Sequence, residues 1–184
     1  MQNVVIAKPY EFVPPDRRRF WPAVFQPLIR PILARIWGVT TVDIVGIETL
    51  RVALRERASV LLVANHCRPC DPTVVAVLGA QAGTPLYTMA SWHQFMGRRS
   101  KAWLLRRLGA FSVYREGLDR TAVRTAVELL VEARRPLVIF PEGIITRSND
   151  RLGALNEGAS FIAHSAAKQR AKNEPGARTL GDPA

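Results

Sequence analysis

From residue 40 to residue 167, short apolar runs alternate with longer stretches whose apolar positions recur every three or four residues. Period switching of this kind marks strands and helices in succession, and a sheet fed that way is covered by helices in layers. Strand-like runs are read at 42–47, 59–64, 86–90, 111–113 and 137–140. Helical stretches are read at 72–80, across 92–108, at 119–135 and at 156–167. In the first, Asp71 is the expected N-cap and Pro72 the first helical residue. The third is the clearest: Ala122, Val123, Ala126, Val127, Leu130 and Val131 share one face. Asp119 starts it and Arg134-Arg135 end it, as the helix dipole prefers. The expected fold is α/β, a layered mixed sheet flanked by helices, with an N-terminal amphipathic helical segment.

Residues 1–18 carry prolines and no periodicity, and run into the basic cluster Arg17-Arg18-Arg19. Between 20 and 37 the apolar residues fall in pairs four apart, with Arg30 and Arg35 off the stripe. Pro27 and Pro31 are expected to kink or split this helix. Its stripe has two destinations, the domain's own core or a lipid surface; interfacial helices place Phe, Trp and Arg in this way. After Ala167 the chain turns polar, basic and rich in Gly and Pro, which is the composition of a disordered end. Three parts follow: a basic amphipathic segment at 1–37 as a candidate membrane contact, a main domain at 38–167, and a tail at 168–184.

Charge narrows the partners. With 26 Lys and Arg against 15 Asp and Glu the chain carries +11, which favours phosphate-bearing ligands, an anionic membrane or nucleic acid. A 48% apolar content excludes global disorder. Cys67 and Cys70 are too few for a disulfide framework and point to a reducing, intracellular setting. The first residues lack the charged start and apolar core of a secretory signal. The longest uncharged run, 72–97, is interrupted at Gln81, at Gly83-Thr84-Pro85 and at 91–94, so it reads as two soluble elements rather than a membrane span. Five cations without an acid lie between Arg98 and Arg107, interleaved with Trp103 and preceded by Trp92 and Phe95. Such a stretch suits a solvated helix face, anionic phosphates at a membrane or on a ligand, or single-stranded nucleic acid.

Three segments at strand ends carry chemistry: Asn65-His66-Cys67-Arg68-Pro69-Cys70-Asp71, Gly109 to Arg115, and Phe140-Pro141-Glu142-Gly143. Open α/β sheets place their active sites there. A His whose Nδ1–H is held by a carboxylate is fixed in one tautomer, with Nε2 free to take a proton. His66 and Asp71 suit that pairing; the plain alternative is a structural His beside a capping Asp. The Cys67-x-x-Cys70 pair has three readings: ordinary reduced thiols, a redox dithiol, or a zinc site with only His93 and His164 left to complete it.

These segments resemble the glycerol-phosphate and lysophosphatidate acyltransferase family, whose signature is Asn-His, four residues, then Asp. Asn65, His66 and Asp71 match it. Gly109, Phe111, Val113 and Arg115 match the second block, residues 140–143 the third in full, and Glu157-Gly158-Ala159 resembles a segment that follows. Order and spacing agree from about 38 to 167. The resemblance implies that His66 is the general base and Asp71 its partner. Asn65, Arg115, Glu142, Gly143 and Arg147 would bind substrate, with Arg115 on an acceptor phosphate and Glu142 on a hydroxyl or on Arg115. The implied donor is acyl-CoA or acyl-carrier protein, and the implied acceptor a lysophospholipid or glycerol-phosphate-type molecule. Neither metal nor bound cofactor is implied, and nucleic acid is not an expected partner. An anionic membrane surface is, with the protein on the cytoplasmic, inner face. The other class of protein compatible with the sequence is an inactive basic module binding membrane or nucleic acid. Two departures stand out. Ile144-Ile145-Thr146-Arg147 follows Glu-Gly where the family has Thr-Arg-Ser, and the Val-Pro strand block expected downstream is lacking, which marks the domain as C-terminally incomplete.

Overall fold

The computed structural model describes residues 9–173. Its centre is a parallel sheet of β1 (Leu61–Val63), β2 (Tyr87–Ser91), β3 (Ala110–Val113) and β4 (Leu137–Ile139), in the order β1-β4-β2-β3. The layered α/β arrangement expected from the alternation is present; the strands pair in parallel throughout, where a mixed sheet was expected. α4 (Asp71–Gln81) carries the chain from β1 to β2, α5 (Arg99–Arg107) on to β3, and α6 (Arg120–Glu132) back to β4, which slots between β1 and β2. Right-handed crossovers running one way and then the other put α6 on the opposite face from α4 and α5. α7 (Gly158–Asn173) joins α6 there, and Tyr87, Phe111, Leu129, Leu137 and Ile162 are buried between them and the sheet.

Because all four strands are parallel, their carboxyl ends share one edge. Ala64 N–H donates to Ile139 O at 3.2 Å, extending the β1–β4 ladder to Ala64, two residues before His66.

Other readings change. The 42–47 run is not a strand: Val42 and Ile44 pack against the cluster of Leu33, Cys70 and Val77, Gly46 turns left-handed at φ 76°, and α3 (Ile47–Arg55) begins. The apolar alternation there served packing against helices, not pairing. The 20–37 stripe splits as its prolines require, into α1 (Phe20–Phe25), a 3-10 turn at Gln26–Leu28, and α2 (Ile29–Trp37). One row of it, with Pro22 and Leu33, is buried, while Phe20, Val24, Leu28, Ile32 and Ile36 stay exposed. The helix read at 156–167 continues to Asn173, and the disorder expected from 168 does not begin there. Arg170 donates to Arg57 O at 2.7 Å and Ser59 Oγ at 3.0 Å, which anchors the extra turns. The remainder of that tail, like residues 1–8, lies outside the described residues.

Arg135 is the largest surprise. Read as a helix-end cation, it is 2% exposed, and its guanidinium donates to Leu86 O at 2.6 Å and Leu108 O at 3.0 Å. It lies 4.0 Å from the Tyr87 ring centroid, and burial pushes its pKa down to about 10. It therefore ties the start of β2 to the turn before β3.

Candidate active site

Asp71 caps no helix. Cys70 is the N-cap of α4 and Asp71 its first residue, and the carboxylate turns back to serve the preceding turn. Its Oδ2 accepts from Arg68 N–H at 2.8 Å and lies 3.0 Å from His66 Nδ1. Both side chains are mostly buried. The His66 ring stacks on Phe140 with centroids 4.4 Å apart, so two contacts fix the imidazole plane. Nε2 has no hydrogen-bond partner among the described residues.

The backbone of His66 is held as firmly as its ring. Its N–H donates to Glu142 Oε1 at 3.2 Å, and its carbonyl accepts from Thr146 N at 2.8 Å and Thr146 Oγ1 at 3.2 Å. The strand ends of β1 and β4 are thereby laced together across 76 residues of sequence. Glu142 is buried, and its second oxygen, Oε2, has no protein partner among the described residues. A buried carboxylate oxygen with no partner carries a desolvation cost that a donor arriving with a ligand would relieve.

Gly143 takes φ 66°, which a side chain would strain, and a Cβ there would stand 3.1 Å from Asn156 Nδ2. Asn156 in turn bonds Pro141 O through both N and Nδ2, at 2.9 and 2.8 Å. The Arg115 guanidinium reaches from the end of β3 to Gly143 O, bonding that carbonyl and not the Glu142 carboxylate. Its loop is held from beneath: Asp119 caps α6 through Ala122 N and accepts Tyr114 N–H at 3.0 Å. Tyr10 donates to that same carboxylate and stacks on Tyr114.

The structure thus brings His66, Asp71, Glu142, Gly143 and Arg115 together at one sheet edge. Asn65 is exposed and donates to Cys67 Sγ at 3.4 Å; Arg147 is exposed on the loop beyond Thr146. Cys67 and Cys70 are free thiols, Cys70 buried against α2, and no group of three metal-ligating side chains exists among the described residues. Sequence reasoning missed Thr146. Its signal was present, since Thr146-Arg147-Ser148 stands two residues beyond its usual place, displaced by Ile144-Ile145.

Fold and site define a layered α/β protein whose sheet edge carries a carboxylate-held histidine fit for abstracting a proton. The acyltransferase family model matches residues 42–175, well over half of the chain, and the protein belongs to that family, the phospholipid and glycerol acyltransferases. Membership brings general acyltransferase activity, with an acyl donor and a lipid-type acceptor. No curated protein and no solved structure matches the chain.

Proposed function

We propose that the protein transfers a fatty acyl group from acyl-CoA or acyl-carrier protein to a hydroxyl of a lysophospholipid or glycerol-phosphate-type acceptor. The observation that carries this is the dyad: His66 Nδ1 lies 3.0 Å from Asp71 Oδ2, with Nε2 unpartnered. His66 Nε2 takes the acceptor's hydroxyl proton as the oxygen attacks the thioester carbonyl. The tetrahedral intermediate collapses with loss of the thiolate, which recovers the proton, leaving an ester and a free thiol. General-base help of this kind is worth roughly 10²–10⁴-fold, and positioning of both substrates supplies more.

Arg115 is suited to an acceptor phosphate because a guanidinium binds it bidentately, and Arg147 adds a second cation. The unpartnered Oε2 of Glu142 suits a hydroxyl donor on the acceptor. Gly143 keeps backbone space at the turn, and Asn65 flanks the dyad. The enzyme works at the cytoplasmic face of an anionic membrane, held by the exposed row of α1 and α2 beside Arg17 to Arg19. No helix among the described residues is long and apolar enough to cross a bilayer.

The test is thiol release from a panel of acyl-CoA donors with lysophospholipid acceptors. His66→Ala should abolish it with the fold retained, while Cys67→Ser with Cys70→Ser should leave it in place. Activity of His66→Ala within a few-fold of the parent refutes the mechanism.

A further inference from the structure

Between Gly143 and α7 the chain runs through residues 144–157 without regular structure. It is not loosely attached. Thr146 is bonded twice to the His66 carbonyl and Asn156 twice to Pro141 O. A Cβ on Gly153 would stand 3.8 Å from both the Glu142 and the Thr146 side chains, so the middle of the loop lies on the site as well. A loop tied down this closely has the means to bury its apolar side chains. Instead Ile144, Ile145, Leu152 and Leu155 are exposed, at 53, 38, 69 and 50%. Arg147 and Arg151 stand exposed among them, and Asp150 is the sole acid from 144 to 155.

Single exposed leucines are ordinary; four large apolar residues exposed within twelve positions of one loop beside the site, interleaved with arginines, call for a partner surface. That interleaving fits the headgroup layer of a bilayer, where apolar side chains enter below the phosphates and guanidiniums pair with them. The chain's +11 charge is complementary to an anionic leaflet. α2 buries Leu33 in one cluster with Cys70 and Val77 of α4. The loop at 144–155 is a different segment of the chain from the N-terminal stripe.

We propose that the loop at 144–155 is the rim on which the catalytic edge seats on an anionic bilayer, so that a lipid acceptor reaches His66 laterally from the membrane. The proposal rests on the acyltransferase reading for what the acceptor is; the seating is read by binding alone.

The full chain is co-sedimented with phosphatidylglycerol–phosphatidylcholine vesicles. Leu152→Glu with Leu155→Glu should weaken binding by about 100-fold, two leucines' worth of lost burial. Arg151→Gln should weaken it by about fivefold, and by less in high salt. Parent-like vesicle binding by the folded double variant overturns the proposal. Acyl transfer in the double variant should fall on vesicle-embedded acceptor yet hold within a few-fold on a short-chain acceptor monomeric in water. An equal fall on both would put the leucines in the chemistry and also overturn it. If no acceptor is acylated by the parent, the enzymatic reading fails while the vesicle result still decides the seating.

Discussion

Replacing Asp71 with Asn isolates the charge of the dyad from its shape. The Asn amide oxygen can still accept from Arg68 N–H and from His66 Nδ1–H, which now lie 2.8 and 3.0 Å from Oδ2, so the turn and the tautomer are kept. What is lost is the anion facing the imidazolium that forms as the proton moves. Unit charges about 4 Å apart attract by about 4 kcal/mol at the effective dielectric of a protein. The two side chains are 16% and 17% exposed, so solvent screens part of this. Counting about 1.4 kcal/mol per decade, kcat should fall by about 10²–10³. KM for either substrate should stay within about threefold, because Asp71 contacts neither. Thiol release followed continuously with a chromogenic thiol reagent measures both constants, and a thermal melt by circular dichroism confirms the fold. A folded Asp71→Asn protein retaining more than a tenth of parental kcat refutes the reasoning, since Asp71 would then be a mere organiser of the Arg68 turn.

Gly109→Ala should be among the most damaging single changes: at φ 99° its Cβ would stand 2.3 Å from Arg135 Nη2 and 2.9 Å from Leu86 O. A loss above about 3 kcal/mol in urea unfolding is expected, and parental stability would mean that Arg135 does not occupy this position. Tyr10 has its pKa pushed up to about 12, first by burial and then by its bond to Asp119, so folding favours the neutral phenol. The stability this gives is whole below the ordinary value of 10.0 and is lost as pH rises through about 12; the stability gap between parent and Tyr10→Phe should close across that window. Arg115→Ala should raise KM for a phosphorylated acceptor about tenfold more than for an unphosphorylated one, and equal effects would remove the phosphate role.

Four of the five strands read from sequence exist, within a residue or two, because each is a short apolar run closed by turn residues. The fifth, at 42–47, failed because period-two burial is a property of any extended segment lying on a packed surface; pairing is not encoded in it. Strand direction was legible, because a helix is read between each successive pair of these four strands, though a mixed sheet was expected. A mixed and a parallel sheet present the same apolar runs, and only the helical crossover between every pair of successive strands separates them. Arg135 was misread for a related reason. Position after α6 predicted a solvated cation, but the β2–β3 edge leaves Leu86 O and Leu108 O in need of a donor, a demand set by tertiary structure alone.

The dyad was legible because both partners fall within six residues, and local spacing carries the geometry. Its surroundings were not. Glu142 meets His66 across 76 residues and Thr146 across 80, joined only because β4 is inserted beside β1 after two intervening strands have formed. That insertion makes the Phe140 ring, the Glu142 carboxylate and the Thr146 hydroxyl a wall for His66, where the chain order places them a domain apart. The displaced Thr146-Arg147-Ser148 follows the same logic. Thr146 supplies a donor to the His66 carbonyl although two isoleucines stand between it and Gly143, and those isoleucines are exposed. Ile144 and Ile145, the residues that depart from the family pattern, thus stand exposed on the same loop whose Thr146 holds the His66 carbonyl.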